Sequence, residues 1–129
     1  MKAYAGMLLG MALVCAHLPA RAGTVNGKTY QIVKLAEGVF GFVWEDPLGD
    51  PIEGNSLFVI NDDDVLVVDT GILPTTTRAM VTELEKLTDK PVRYVVNTHW
   101  HDDHVNGNQV YQDRWPGVEF ISHRHTRTD

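Results

Sequence analysis

The 129-residue chain has a single cysteine, Cys15, and it lies inside the first apolar segment. Once that segment is removed the remaining chain has no thiol, which excludes both disulfide bridges and thiolate chemistry. Clustered positive charge is also missing: the formal net charge is -6 and no group of Lys and Arg residues stands out. That argues against a nucleic-acid partner, whose phosphates attract basic surfaces, and a small-molecule ligand suits the chain better. There is no internal repeat and no long low-complexity tract. No apolar run reaches the roughly 20 residues that a membrane-spanning helix needs. With 43% hydrophobic and 22% charged residues, the composition is that of a globular protein. The length allows one small domain or part of a larger one, and excludes two complete domains.

What is present begins with "MKAYAGMLLGMALVCAHLPARAG". Lys2 gives a positive start, Ala3 to Leu18 an apolar run, and Ala20-Arg21-Ala22 a small-x-small cleavage site. The three parts together predict a secretory signal peptide over residues 1–22, cleaved after Ala22. The run is short for a stable anchor, and Pro19 follows it. Leu13-Val14 before Cys15 lacks the small residue of a lipoprotein cleavage box. Cleavage removes Lys2 and Arg21 and so makes the net charge more negative by two. Residues 23–129 are then expected in a bacterial periplasm or outside the cell.

Two β-rich runs in Tyr30 to Trp44, parted by Glu37-Gly38, read as strand, turn and strand. Ser56 to Ile60 and Val65 to Asp69 repeat the plan around Asn61-Asp62-Asp63-Asp64, which is turn chemistry rather than a cation site. Pro74 opens a helix in which Met80, Leu84 and Leu87 share one face, with Pro91 ending it. Val92 to Asn97 reads as a buried strand. A weaker helix signal carrying Val105, Val110 and Tyr111 follows, and then a short strand from Val118 to Ser122. Six strands and two helices, hairpins first and a βαβ unit later, predict an α/β layered domain.

The buried strand runs directly into "THWHDDHVNGN", Thr98 to Asn108, where six consecutive positions hold three of the chain's six histidines and two aspartates. In sheets crossed by helices, ligand sites lie at such carboxyl ends. His99 and His101 are two apart, so in an extended segment their rings project from the same side. Asp103 and His104 come as the chain turns toward a helix and aim at a neighbouring point. Two ligands for one metal and two for the next is the economical reading, against a polar loop of merely solvated histidines. Imidazole and carboxylate without thiolate suit zinc, with iron or manganese as alternatives decided by geometry. Trp100 reads either as a pocket wall or as an aromatic covering core, and Asp102 as a supporting residue.

"HWHDDH", His99 to His104, resembles the HxHxDH motif of the metallo-β-lactamase superfamily, and "VLVVDTG", Val65 to Gly71, is similar to the strand and turn that precede that motif in the same fold. The resemblance extends from about Asn55 onward. It implies an αββα sandwich, of which this chain would be the N-terminal half, with a one- or two-zinc hydrolytic site at the sheet edge. It further implies that His99 and His101 bind the first metal and that Asp103 and His104 bind the second. Asp103 would also orient the attacking water, and Asp69 would support the site from beneath by holding a ligand's other ring nitrogen. Members hydrolyse β-lactams, thioesters, lactones, sulfate esters and phosphodiesters, through a metal-activated water attacking carbon, phosphorus or sulfur. His104 departs from lactamases that place arginine or cysteine at that position.

A catalytic zinc takes three protein ligands and keeps one position open, whereas two per metal are offered here. The family's further ligands lie downstream of the motif, and His123 and His125 are expected to be loop or helix-start residues rather than substitutes. Without a partner layer, apolar surface on Val65 to Val68 is expected to be exposed. The implied function is a secreted zinc hydrolase, a β-lactamase being one version. A lactonase or thioesterase-like hydrolase is the alternative, and a non-catalytic metal-binding half-domain that pairs with another chain belongs to a different class.

Overall fold

The structure is a computed structural model and describes residues 21–46, 48 and 52–126. Of the expected leader, residues 1–22, those up to residue 20 lie outside the described residues, and Arg21 and Ala22 begin the first strand. The elements run β1 (Arg21–Val25), β2 (Lys28–Ala36), β3 (Val39–Trp44), β4 (Ser56–Ile60), β5 (Val65–Val68), α1 (Pro74–Leu87), β6 (Val92–Asn97), α2 (Asp102–Val105), α3 (Asn108–Arg114) and β7 (Glu119–Ser122). The seven strands form one sheet in chain order. Pairing is antiparallel from β1 to β5 and parallel from β5 through β6 to β7.

The sheet thus has one strand more than the sequence reading expects. β1 is joined to β2 by Asn26-Gly27, both at positive φ (51° and 78°). That pair of left-handed residues makes the tight hairpin turn whose twist matches the flanking strands. The expected helix after the histidines is also two short helices, α2 and α3. They part at Asn106-Gly107, where the Gly107 amide donates to the Gly71 carbonyl at 3.1 Å. A β-carbon on Gly107 would stand 2.0 Å from the Thr70 carbonyl oxygen, so the chain bends there to pass against the turn after β5.

Helix α1 starts at Pro74, as the sequence indicates, because proline fits the first turn, where no intrahelical N–H bond is lost. It stops at Leu87, ahead of Pro91. Thr88 takes an extended conformation and its hydroxyl accepts from the Lys90 amide at 3.2 Å, a local bond that competes with another helical turn. Met80, Val81 and Leu84 are buried against Phe58, Val65, Val67, Val92 and Val95 of the sheet, with Val110 and Tyr111 of α3 in the same core. Each such side chain stabilises the fold by roughly 1.5–3 kcal/mol before entropic costs.

Burial alternates along the central strands. Val65 and Val67 are fully buried, while Leu66 and Val68 are half-buried. The expectation of an exposed Val65 to Val68 is therefore corrected for Val65 and Val67, which point toward α1 and α3. Leu57, Leu66, Val68, Tyr94 and Val96 are cross-strand neighbours on the other face. Because β5, β6 and β7 run parallel, their carboxyl ends lie at one edge of the sheet, and Asn97 pairs with Ser122 there. The histidine-rich segment leaves the sheet from that edge.

Candidate metal centre

Strand β5 ends at Val68, one residue short of the expected bound, because Asp69 turns into the left-handed region at φ 59°. Aspartate is among the few residues that tolerate this region. The turn carries its carboxylate, only 5% exposed, under the segment that follows β6. There Oδ1 accepts from the Thr98 amide at 2.8 Å and Oδ2 from the Thr98 hydroxyl at 2.7 Å. Oδ2 also lies 2.8 Å from His104 Nδ1. One carboxylate therefore ties the ends of two parallel strands and one histidine of the motif.

These contacts fix proton positions, because a carboxylate only accepts. His104 must present Nδ1–H to Asp69. The Thr98 hydroxyl proton is spent on Asp69, so the contact of 3.0 Å between Thr98 Oγ1 and His99 Nδ1 is made by an Nδ1–H on His99. Asp69 thus sets the tautomer of His104 directly and that of His99 through Thr98. In their neutral forms both rings then offer Nε2 as a lone pair, the form a metal binds.

The motif rings are close together. The His99 centroid is 4.6 Å from that of His101 and 4.0 Å from that of His104. His101 precedes α2, whose first turn carries Asp102 and Asp103 and whose last residues include His104. Asp103 Oδ2 lies 3.1 Å from His104 Nε2, and both side chains are about one-fifth exposed. While the His104 ring is neutral with its proton on Nδ1, Nε2 and Asp103 Oδ2 are two acceptors facing each other, an arrangement that either a proton on Nε2 or a metal cation between them satisfies. The donor chemistry therefore fits zinc at the Asp103–His104 pair. Among the described residues no group of three or more His, Cys, Asp or Glu side chains is disposed to hold one ion, so the four candidate ligands remain pairs.

Asp102 is exposed at the start of α2, and Trp100 is 50% exposed and edge-on to His101, with centroids 4.7 Å apart. Trp100 therefore flanks the rings and does not cover core. His123 and His125 follow β7 in a turn, exposed, with ring centroids 5.1 Å apart. They share the sheet edge with the motif but do not join its ring cluster. The three aspartates of the Asn61 to Asp64 turn lie at the opposite end. There Asn61 Nδ2 donates to Asp64 Oδ1 at 2.8 Å, and a cavity of about 410 Å3 opens beside Asp63, Arg93 and Trp115.

Several residues that support the motif carry no sequence signal of their own. Gly54 packs so closely beneath α2 that a β-carbon would stand 2.3 Å from the Asp103 carbonyl oxygen and 3.3 Å from His104 Cε1. Its carbonyl accepts from Trp44 Nε1 at 3.2 Å. Next to it, Glu53 is 3% exposed, and burial raises its carboxyl pKa above the ordinary value despite Lys28, the Ile72 amide and Thr76. Thr98 could have been suspected only from its place between the strand and the first histidine.

The described geometry agrees with what the chain is similar to. A family model of the metallo-beta-lactamase superfamily matches residues 49–128. A linear primary-alkylsulfatase from Pseudomonas sp. (strain ATCC 19151) is 38% identical over 47 residues, covering 36% of this chain and 9% of that protein. Among solved structures, the metallo-β-lactamase FIM-1 from Pseudomonas aeruginosa, in its mono-zinc form, aligns with a TM-score of 0.63 at 20% identity, over 77% of this chain and 44% of that one. A metallo-β-lactamase from Erythrobacter litoralis aligns with a TM-score of 0.62 at 25% identity, over 84% and 46%. The chain thus spans less than half the length of these proteins. The family match covers the whole sequence from before β4 to beyond β7, including Asp69 and the His99 to His104 motif, and on that ground the chain belongs to the metallo-β-lactamase superfamily of hydrolases.

Proposed function

We propose that this chain supplies the HxHxDH part of a zinc site in an exported hydrolase. The observation that carries the reading is the 3.1 Å approach of Asp103 Oδ2 and His104 Nε2, two groups that can ligate one metal, beside a ring whose other nitrogen is held by Asp69. When bound, zinc supplies Lewis acidity and an activated water for attack on an ester- or amide-type bond. His99 and His101 hold the first ion, and Asp103 and His104 the second. Asp103 would also orient the attacking water, and Asp69 would select the tautomer in which the neutral rings of His99 and His104 present Nε2 as a lone pair. Further ligands come from residues other than these four, since a catalytic zinc has three protein ligands. Iron or manganese in the same place is the alternative for an imidazole and carboxylate set.

A β-lactam is the first substrate class to test, with lactones and thioesters next. A second reading, a sulfate ester with an apolar tail, is favoured by the 47-residue likeness to an alkylsulfatase and by the half-exposed Trp100 beside His101. Export is supported by Lys2, the apolar run to Leu18 and Ala20-Arg21-Ala22, and no helix among the described residues is long and apolar enough to cross a membrane. The test is native mass spectrometry of the protein recovered from the periplasm, with hydrolysis of a chromogenic cephalosporin and of dodecyl sulfate followed with and without chelator. The expected protein begins at Gly23, carries zinc and loses it on His99→Ala with His101→Ala. Undiminished zinc in that double variant, or a metal-free protein that retains its leader, overturns the reading.

A further inference from the structure

The segment that carries the histidines is gripped a second time, at a point that involves none of the candidate ligand atoms. The grip closes on the backbone carbonyl of His104. It accepts from the Thr70 amide at 2.9 Å, from the Thr70 hydroxyl at 3.2 Å and from Asn97 Nδ2 at 3.2 Å. Asn97, 6% exposed at the end of β6, forms a reciprocal amide pair with Asn108 at the start of α3. Asn97 Nδ2 donates to Asn108 Oδ1 at 3.1 Å, and Asn108 Nδ2 donates to Asn97 Oδ1 at 2.8 Å. The single Thr70 hydroxyl proton is shared between the His104 carbonyl and Asn108 Oδ1, 3.0 Å away.

The orientations in this network are determined by chemistry. A backbone carbonyl can only accept, so the Asn97 nitrogen must face His104 and its oxygen must face away. That oxygen then requires a donor, which fixes the Asn108 nitrogen toward it and the Asn108 oxygen toward Asn97 and Thr70. Each amide hydrogen of Asn97 has its own acceptor. The pair brackets the motif in sequence, since Asn97 precedes His99 and Asn108 follows His104. A bond across the pair therefore fixes the length and pitch of the loop between them.

We propose that Asn97 and Asn108 are positioning residues for the metal site: their amide pair, completed by Thr70, holds the His104 backbone so that its Nε2 faces Asp103. This rests on the zinc reading of the motif, but the clamp itself is read independently of metal. Asn97→Asp removes both donations from Nδ2 and turns a carboxylate oxygen toward the His104 carbonyl. Asn108→Asp removes only the donation to Asn97 and leaves the oxygen that Asn97 and Thr70 address. The two substitutions add the same charge in the same network, yet the first should be the more damaging.

The experiment uses the full chain and its Asn97→Asp, Asn108→Asp and double variants. Zinc affinity is measured by competition with a chromophoric chelator, cobalt coordination by its visible spectrum, and amide hydrogen exchange in the metal-free protein. Residues that orient ligands indirectly affect metal affinity by roughly 10- to 100-fold. Asn97→Asp should weaken zinc binding within that range and shift the cobalt bands, Asn108→Asp should do so less, and the double variant should be no worse than Asn97→Asp alone. Exchange at the Thr70 amide should speed in the same order, while the Val95 amide in the sheet stays protected. Equal zinc affinity and equal Thr70 protection in all folded variants overturn the clamp. If wild type binds no zinc while Thr70 protection follows the expected order, the zinc reading fails and the clamp stands as a device that holds the loop. Should Asn97→Asp fail to fold, Asn108→Asp decides: unchanged Thr70 exchange in that variant overturns the proposal.

Discussion

Replacing Asp69 with asparagine isolates the role of one charge, because asparagine also tolerates the left-handed backbone at φ 59°. Alanine would add a steric cost of about 1–2 kcal/mol at that backbone and confuse the result. The carboxylate receives the Thr98 amide on Oδ1, and the Thr98 hydroxyl and His104 Nδ1 on Oδ2. An amide nitrogen in place of Oδ1 would face the Thr98 N–H, donor to donor. In place of Oδ2 it would face the Thr98 hydroxyl, which can rotate to accept, and His104 Nδ1, which can accept only by moving its proton to Nε2. Either placement loses at least one hydrogen bond to a charged group, worth about 1.5–3 kcal/mol net. The buried amide permits only partial recovery elsewhere, so the metal-free protein should lose about 2–4 kcal/mol. The lower-cost placement also puts a proton on the nitrogen that faces Asp103, and zinc affinity should fall roughly 10- to 100-fold. Denaturant titration gives the first quantity and chelator competition the second. Long-range 15N–1H correlation at pH 8 reads the tautomer, Nδ1–H in wild type and Nε2–H in the variant. A folded Asp69→Asn protein that keeps the Nδ1–H form and binds zinc within twofold of wild type would refute the reasoning.

Gly107→Ala should cost about 1–3 kcal/mol, since its β-carbon would lie 2.0 Å from a backbone oxygen and 2.4 Å from Thr77 Oγ1. Gly117→Ala, whose β-carbon meets nothing within 4 Å, is the control, and equal denaturation midpoints for the two would contradict the close approach. Glu53→Gln addresses pH dependence. The folded state raises the Glu53 pKa above 4.5 mainly by burial, so it binds that proton more tightly than the unfolded chain does, and stability falls as pH rises from about 4.5 through the folded value. Glutamine carries no such cost and keeps a group able to meet Thr76. The variant should therefore gain on wild type as pH rises from 4 to 7 in parallel denaturant titrations, and a constant difference would show that Glu53 does not carry the effect.

The candidate motif stands out in the sequence because its residues are local. His99, His101, Asp103 and His104 are consecutive or nearly so, and the apolar run of β6 announces the strand they leave. Asp69 was legible through the resemblance of Val65 to Gly71 to the same family. The supporting residues were not legible, because their partners are distant in the chain. Gly54 meets Asp103, Gly107 meets Thr70, and Asn97 reaches Asn108 only after the intervening turn has folded. Strand β1 has a weaker excuse. Asn26-Gly27 is a strong hairpin signal, but Arg21 to Val25 is mostly exposed and lacks the apolar alternation that marks a half-buried strand. The division of α2 from α3 is set by the approach of Gly107 to the β5 turn, which no periodicity encodes.

The strand order, identical to the order of synthesis, has a kinetic meaning. Among the described residues every strand pairs with its neighbours in sequence, so each pairing closes a short loop once the previous strand is in place, and loop-closure entropy grows slowly with length. The antiparallel hairpins from β1 to β5 can zip together with few distant contacts, which favours fast folding. The crossover from Val68 to Val92 must instead order α1 before β6 can add in parallel, and β7 follows only after Asn97 to Asn108 has closed. The edge that carries the histidines therefore needs α1 and β6 in place, whereas the hairpins from β1 to β5 can pair without it.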